Sequence, residues 1–167
     1  GGALEHPKCS YHYLQSEFSE TGRPFFHGGT FGTPIVIKDA HGVTTTLDQL
    51  SAYTPFKTLG TYQAPTHCQK KQYEILKTKA TNLVRVLALS SCSANAAWLF
   101  YSSIFMKAVG YPLSVSRLTS TQLQALQKPM VSLTLNRMHY SRTISRALVY
   151  GPRGYGGLEF GSLETTQ

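Results

Sequence analysis

The sequence predicts an α+β chain: a small antiparallel sheet from residues 10–62 packed against a basic three-helix bundle from residues 69–138. Three observations carry this. Residues 10–62 hold short aromatic and β-branched runs separated by Gly, Pro and Asp turn chemistry. After Ala64-Pro65 the apolar residues change to helical spacing. The charge changes at nearly the same place, from a neutral half to one that is strongly basic.

Gly1 to Cys9, with two glycines and Pro7, reads as a loop. Tyr11–Phe18 is aromatic-rich and reads as one strand, and Glu20-Thr21-Gly22-Arg23-Pro24 as a turn into a returning strand at Phe25-Phe26-His27. Pro34–Ile37 and Val43–Thr46 read as two further strands around an Asp39–Gly42 hairpin turn. From Gln69 to about Leu89, Tyr73, Leu76, Ala80, Leu83, Val84 and Leu87 fall on one helical face. Lys70, Lys71, Lys77 and Arg85 lie within about 120° on the flank beside and behind that face. Ser93 to Val109 reads as a second helix, capped by Ser93 and apolar on nearly all sides, which places it in the middle of a bundle with Trp98 and Phe105 in the core. A third helix starts at Thr119, with Thr121 as an alternative cap, and Pro129 is expected to kink or split it. The tail from Asn136 to Gly157 mixes Tyr140, Tyr150 and Tyr155 with Arg137, Arg142, Arg146 and Arg153.

The 167 residues carry 16 Lys and Arg against 8 Asp and Glu, a formal charge of +8. All the acids lie at Glu5, Glu17, Glu20, Asp39, Asp48, Glu74, Glu159 and Glu164, so residues 75–158 contain none. A polyanionic partner is the simplest reason, nucleic acid before an anionic membrane surface. No run of about 18 uncharged apolar residues exists to span a membrane. Cys9, Cys68 and Cys92 are odd in number and widely spaced, which fits a reducing intracellular setting without separating nucleus from cytoplasm. No spacing of His and Cys suits a structural zinc, so no metal ligands are assigned. The phosphate-loop and Gly-x-Ser-x-Gly patterns are absent, and no two acids form an obvious catalytic pair. With neither a signal peptide nor an initiator Met, the chain reads as a piece of a longer polypeptide.

An ordered set of segments goes further. Gly2-Ala3-Leu4-Glu5-His6-Pro7-Lys8-Cys9, then Phe56-Lys57-Thr58-Leu59-Gly60-Thr61-Tyr62, then two helices, then Tyr155-Gly156-Gly157-Leu158-Glu159-Phe160 resembles the reverse transcriptase domain of non-long-terminal-repeat retroelements. The first segment is similar to that family's motif D and the second to its motif E, the primer grip. The resemblance implies that residues 1–64 are the palm end, with a motif D-like turn, inserted hairpins and a primer-grip-like strand. Residues 65–167 are then the helical thumb and a C-terminal extension. It implies an RNA template and a DNA primer as partners, with dNTP and Mg²⁺ for the full polymerase but no cofactor in this segment. Pro7 stands directly before Lys8, where the family has a residue between, and the chain holds no Tyr-x-Asp-Asp. The carboxylates of a two-metal centre are therefore expected upstream of Gly1, and the segment alone is expected to be inactive.

On that resemblance Lys8 is the candidate catalytic residue, protonating the leaving pyrophosphate. Phe56, Leu59 and Gly60 are the primer grip. Lys70, Lys71, Lys77 and Arg85 track duplex phosphates, with Arg142, Arg146 and Arg153 extending the groove. A non-catalytic nucleic-acid-binding module, or a decayed element that only binds RNA, is the alternative reading.

Overall fold

The computed structural model describes residues 9–30, 32–38 and 42–167. Lys8, most of the motif D-like segment and residues 39–41 of the expected hairpin turn lie outside the described residues. The chain divides into two units: residues up to Thr58 with Tyr62–Cys68, and Leu59–Thr61 with Gln69–Gln167. It is α+β, with the strands before the helices.

The strands form four separate two-stranded ladders rather than one small sheet. β2 (Leu14–Phe18) and β3 (Pro24–Gly28) pair antiparallel from Leu14↔Gly28 to Phe18↔Pro24. Their turn is closed by Ser19, whose amide reaches the Arg23 carbonyl at 2.9 Å, and by Gly22 at φ +74°, where a Cβ would be strained. β4 (Val36–Lys38) and β5 (Thr44–Thr46) pair antiparallel as expected.

The expected single strand over residues 11–18 is divided. β1 (Ser10–His12) pairs parallel with β6 (Asp48–Leu50), while β2 takes a different partner. Two hairpins intervene between β1 and β6, and the chain returns from them running in the same direction. β7 (Phe56–Thr58) and β8 (Thr61–Gln63) close the set as a hairpin. Ala52 and Ala64 are the buried apolar residues of this unit among those described, and Phe18, Phe25, Phe26, Val36, Val43 and Tyr53 remain exposed.

The core belongs to the helices. α1 (Lys70–Leu89) buries Gln72, Leu76, Ala80 and Leu87, with Tyr73, Leu83 and Val84 half-buried beside them. α2 (Ala94–Leu99), a π-helical turn (Phe100–Phe105) and α3 (Met106–Gly110) run on as one helical rod. Ser93 caps it, its Oγ accepting from the Ala96 amide at 3.3 Å. Ala97, Tyr101, Phe105 and Val109 are all fully buried at strict four-residue spacing. In a regular α-helix such steps drift by about 40° each, and a π turn takes up the drift by widening the spiral.

The expectation of a rod enclosed on all sides is corrected: Leu99 and Ile104 are exposed, and Trp98 is half-buried against the core, whereas Phe105 is fully buried. Apolar composition overstated the enclosure because one flank has no packing partner in this unit.

α4 (Ser120–Arg137) starts with a capping box: Thr119 Oγ1 accepts from the Gln122 amide at 3.3 Å, and Gln122 Oε1 accepts from the Thr119 amide at 2.9 Å. Pro129 does not split it; the helix continues for two more turns. Pro129 and Ala125, whose carbonyl loses its amide partner, are both exposed, so that carbonyl is open to solvent. The tail, which carried no helical pattern, forms α5 (Arg146–Tyr150), a 3-10 turn (Arg153–Tyr155) and α6 (Leu163–Thr166), and seats Val149, Phe160 and Leu163 in the core.

Candidate nucleic-acid interface

The outer face of α1 is a basic surface whose orientation the helix itself fixes. Taken at 100° per residue, the buried positions 72, 76, 80 and 87 centre on one side and Lys70, Lys71, Lys77 and Arg85 on the other. All four are exposed, and Glu74 is the single acid among them. From Lys70 to Arg85 the helix rises about 22 Å. The first turn carries Lys70 and Lys71, no acid and no side-chain cap, so two cations add to the positive end of the helix dipole. That arrangement opposes helix formation unless an anion lies nearby.

Several other bases have partners within the fold. Lys79 Nζ donates to the Ala108 carbonyl at 2.8 Å, at the end of α3. Arg137 Nη2 donates to the Ala88 carbonyl at 2.8 Å and closes the C-terminus of α1. Arg153 sits 4.3 Å over the Trp98 ring and 3.6 Å from Glu159. Arg142 is exposed in the turn before α5. Arg146 lies with Tyr150 at the edge of a cavity. The three C-terminal arginines therefore have three different surroundings. Tyr155 stands 91% exposed beside Arg153.

Phe56, Leu59 and Gly60 lie on the β7–β8 hairpin. The Phe56 ring packs tilted against His12 with centroids 5.3 Å apart. Leu59 (φ +49°) and Gly60 (φ +84°) are the two central residues, both in the left-handed region that a two-residue type I′ connection requires. Gly60 needs no close neighbour to explain it, since a Cβ would meet nothing within 4 Å. Leu59 is the unusual choice: a large apolar side chain, 85% exposed, at a strained backbone position.

The glycine-rich tail is a structural knuckle. A Cβ on Gly157 would lie 2.0 Å from the Gly151 carbonyl oxygen. The close approach lets Leu158 and Phe160 amides reach Leu148 and Val149 carbonyls at 2.8 and 2.9 Å. It leads into a buried polar network that the sequence did not reveal. Gln127 Nε2 donates to Tyr101 Oη at 2.6 Å and to the Gly161 carbonyl at 2.7 Å. Tyr101 Oη donates to the same carbonyl at 2.5 Å, and Gln127 Oε1 accepts from the Leu163 amide at 3.0 Å. Burial pushes the Tyr101 phenol far above its ordinary pKa of 10.0. A lone Gln on an apolar helix face is the only sequence signal of this network.

No group of three or more His, Cys, Asp or Glu side chains gathers among the described residues. Among the described residues no helix is long and apolar enough to cross a membrane. No protein-family model, curated protein or solved structure matches the chain.

Proposed function

We propose that the chain grips a nucleic-acid duplex along α1, as the palm-end and thumb part of a retroelement reverse transcriptase. The observation that carries the reading is the exposed face of Lys70, Lys71, Lys77 and Arg85, set opposite the core of α1 at the head of an acid-free stretch. Duplex DNA carries one charge per about 1.7 Å of axis, so about 22 Å of basic helix can meet several phosphates. Such contacts give affinity and register and read no sequence. The order of the motif-like segments names the polymerase class, with an RNA template and DNA primer in the groove and a reducing intracellular setting. In that polymerase Lys8 protonates the leaving pyrophosphate, and Leu59 and Gly60 meet the primer terminus.

The reading is tested by fluorescence anisotropy with a labelled RNA–DNA primer–template. The chain binds it without extending it, and replacing Lys70, Lys71, Lys77 and Arg85 by Ala weakens binding at least tenfold while helical circular dichroism is kept. Unchanged affinity moves the interface away from α1. The coding sequence upstream of Gly1 tests the polymerase class: a Tyr-x-Asp-Asp about 10–30 residues before it supports the enzyme. Its absence leaves a binding module.

A further inference from the structure

Between α4, α5 and α6 lies a cavity of about 510 Å³ whose wall includes Gln124, Lys128, Arg146, Tyr150 and Glu164. Its charges are unbalanced in an informative way. Glu164 is the carboxylate in the wall, and its Oε1 accepts from Ser120 Oγ and from Gln124 Nε2. Those neutral donors, Ser120 first, hold its carboxyl below the ordinary value. Neither cation neutralises it: among the described residues Lys128 and Arg146 have no carboxylate partner. Arg146 shares the wall with Tyr150 instead. Two unpaired cations at one cavity call for an anion, and phosphate is an anion that a guanidinium and an ammonium both bind.

The space is far larger than phosphate alone needs and falls in the range of small-ligand sites. What else fills it is limited by the wall. Tyr150, half-buried, supplies aromatic surface. Glu164 Oε2, free of partners among the described residues, repels a second anion and accepts from an N–H donor. Gln124, already donating to Glu164, has its amide oxygen left to accept.

We propose that this cavity binds a phosphomonoester attached to a flat, amine-bearing ring, of the size of a nucleoside monophosphate. Lys128 and Arg146 take the phosphate, Tyr150 packs on the ring, and Glu164 accepts from its amine. The ligand is either a free nucleotide or the phosphorylated end of a strand, and the shared chemistry is the terminal phosphate. The inference does not rest on duplex binding by α1.

The test is isothermal calorimetry of the full chain with adenosine 5′-monophosphate, adenosine and inorganic phosphate as separate probes. The expected result is saturable one-to-one binding of the monophosphate, at least tenfold weaker binding of phosphate, and none of adenosine. Lys128→Ala and Arg146→Ala each weaken the monophosphate at least tenfold. The quadruple Ala variant of Lys70, Lys71, Lys77 and Arg85 leaves it unchanged. Should Arg146→Ala fail to fold, Lys128→Gln decides alone, because Lys128 is an exposed side chain with no bond to lose. A 5′-phosphorylated oligonucleotide that competes where its 5′-hydroxyl form does not identifies a strand end; failure of both to compete identifies free nucleotide. No saturable binding, equal binding of adenosine, or binding indifferent to Lys128 and Arg146 overturns the proposal.

Discussion

Gln127→Met is the substitution that best tests how the C-terminal segment is held. Gln and Met have similar length, so the packing of this buried position on α4 changes little. The hydrogen bonds change unequally. Gly161's carbonyl keeps Tyr101 Oη as its donor, and Tyr101 keeps the carbonyl as its acceptor. The Leu163 amide loses Gln127 Oε1 and is left buried without a partner. One orphaned buried N–H costs about 1–3 kcal/mol, so about 2 kcal/mol is expected. Tyr101→Phe removes two bonds against three and orphans no backbone group, because Gln127 Nε2 still reaches the Gly161 carbonyl. Its cost is about 1 kcal/mol. Urea unfolding followed by the fluorescence of Trp98, the single tryptophan, measures both. Hydrogen exchange of residues 158–167 should accelerate in Gln127→Met far more than in Tyr101→Phe. Equal costs, or a Gln127→Met cost under about 0.5 kcal/mol, refute the orphaned-amide argument.

Gly157→Ala forces a Cβ onto the Gly151 backbone and should cost about 2–3 kcal/mol, while Gly154→Ala, with nothing within 4 Å, should be nearly neutral; thermal melts of the pair check this. Tyr101 is held neutral in the fold, so its contribution is fully present below pH 10.0 and declines as pH rises above it. Urea midpoints between about pH 9 and 11.5 should fall for the native chain and fall less steeply for Tyr101→Phe, with Tyr150, also raised mainly by burial, supplying part of the remaining slope. Leu59→Asn places a residue suited to positive φ in the hairpin and should raise stability by a few tenths of a kcal/mol, seen in melts. The same change should weaken primer–template binding; unchanged binding would reduce Leu59 to a turn residue.

Helices were legible because their signals are local. The apolar spacing of α1, the Ser93 cap and the Thr119 start each act within about one turn of chain, and the structure keeps all three. Strand pairing is not local. Nothing in Ser10–His12 names Asp48–Leu50 as a partner, and Asp-Gln-Leu lacks the β-branched pattern that marks strands, so β6 and its parallel register went unread. Pro129 does not split α4: the rule weighs a lost bond without knowing which way the freed carbonyl faces. The basic face of α1 followed from helical geometry alone. The role of Arg153 did not, since Trp98 lies far from it in sequence and only the fold brings them within 4.3 Å.

The central claim is that α1 meets the phosphates, and the salt dependence of duplex affinity tests it most directly. Four phosphates neutralised by Lys70, Lys71, Lys77 and Arg85 give a log–log slope of about −3.6, from about 0.9 per contact. The account predicts a slope of about −3 to −4 for the native chain, and a slope flatter by about three units when those residues are Ala. A slope that survives the fourfold substitution would contradict it and place the binding surface elsewhere on the chain.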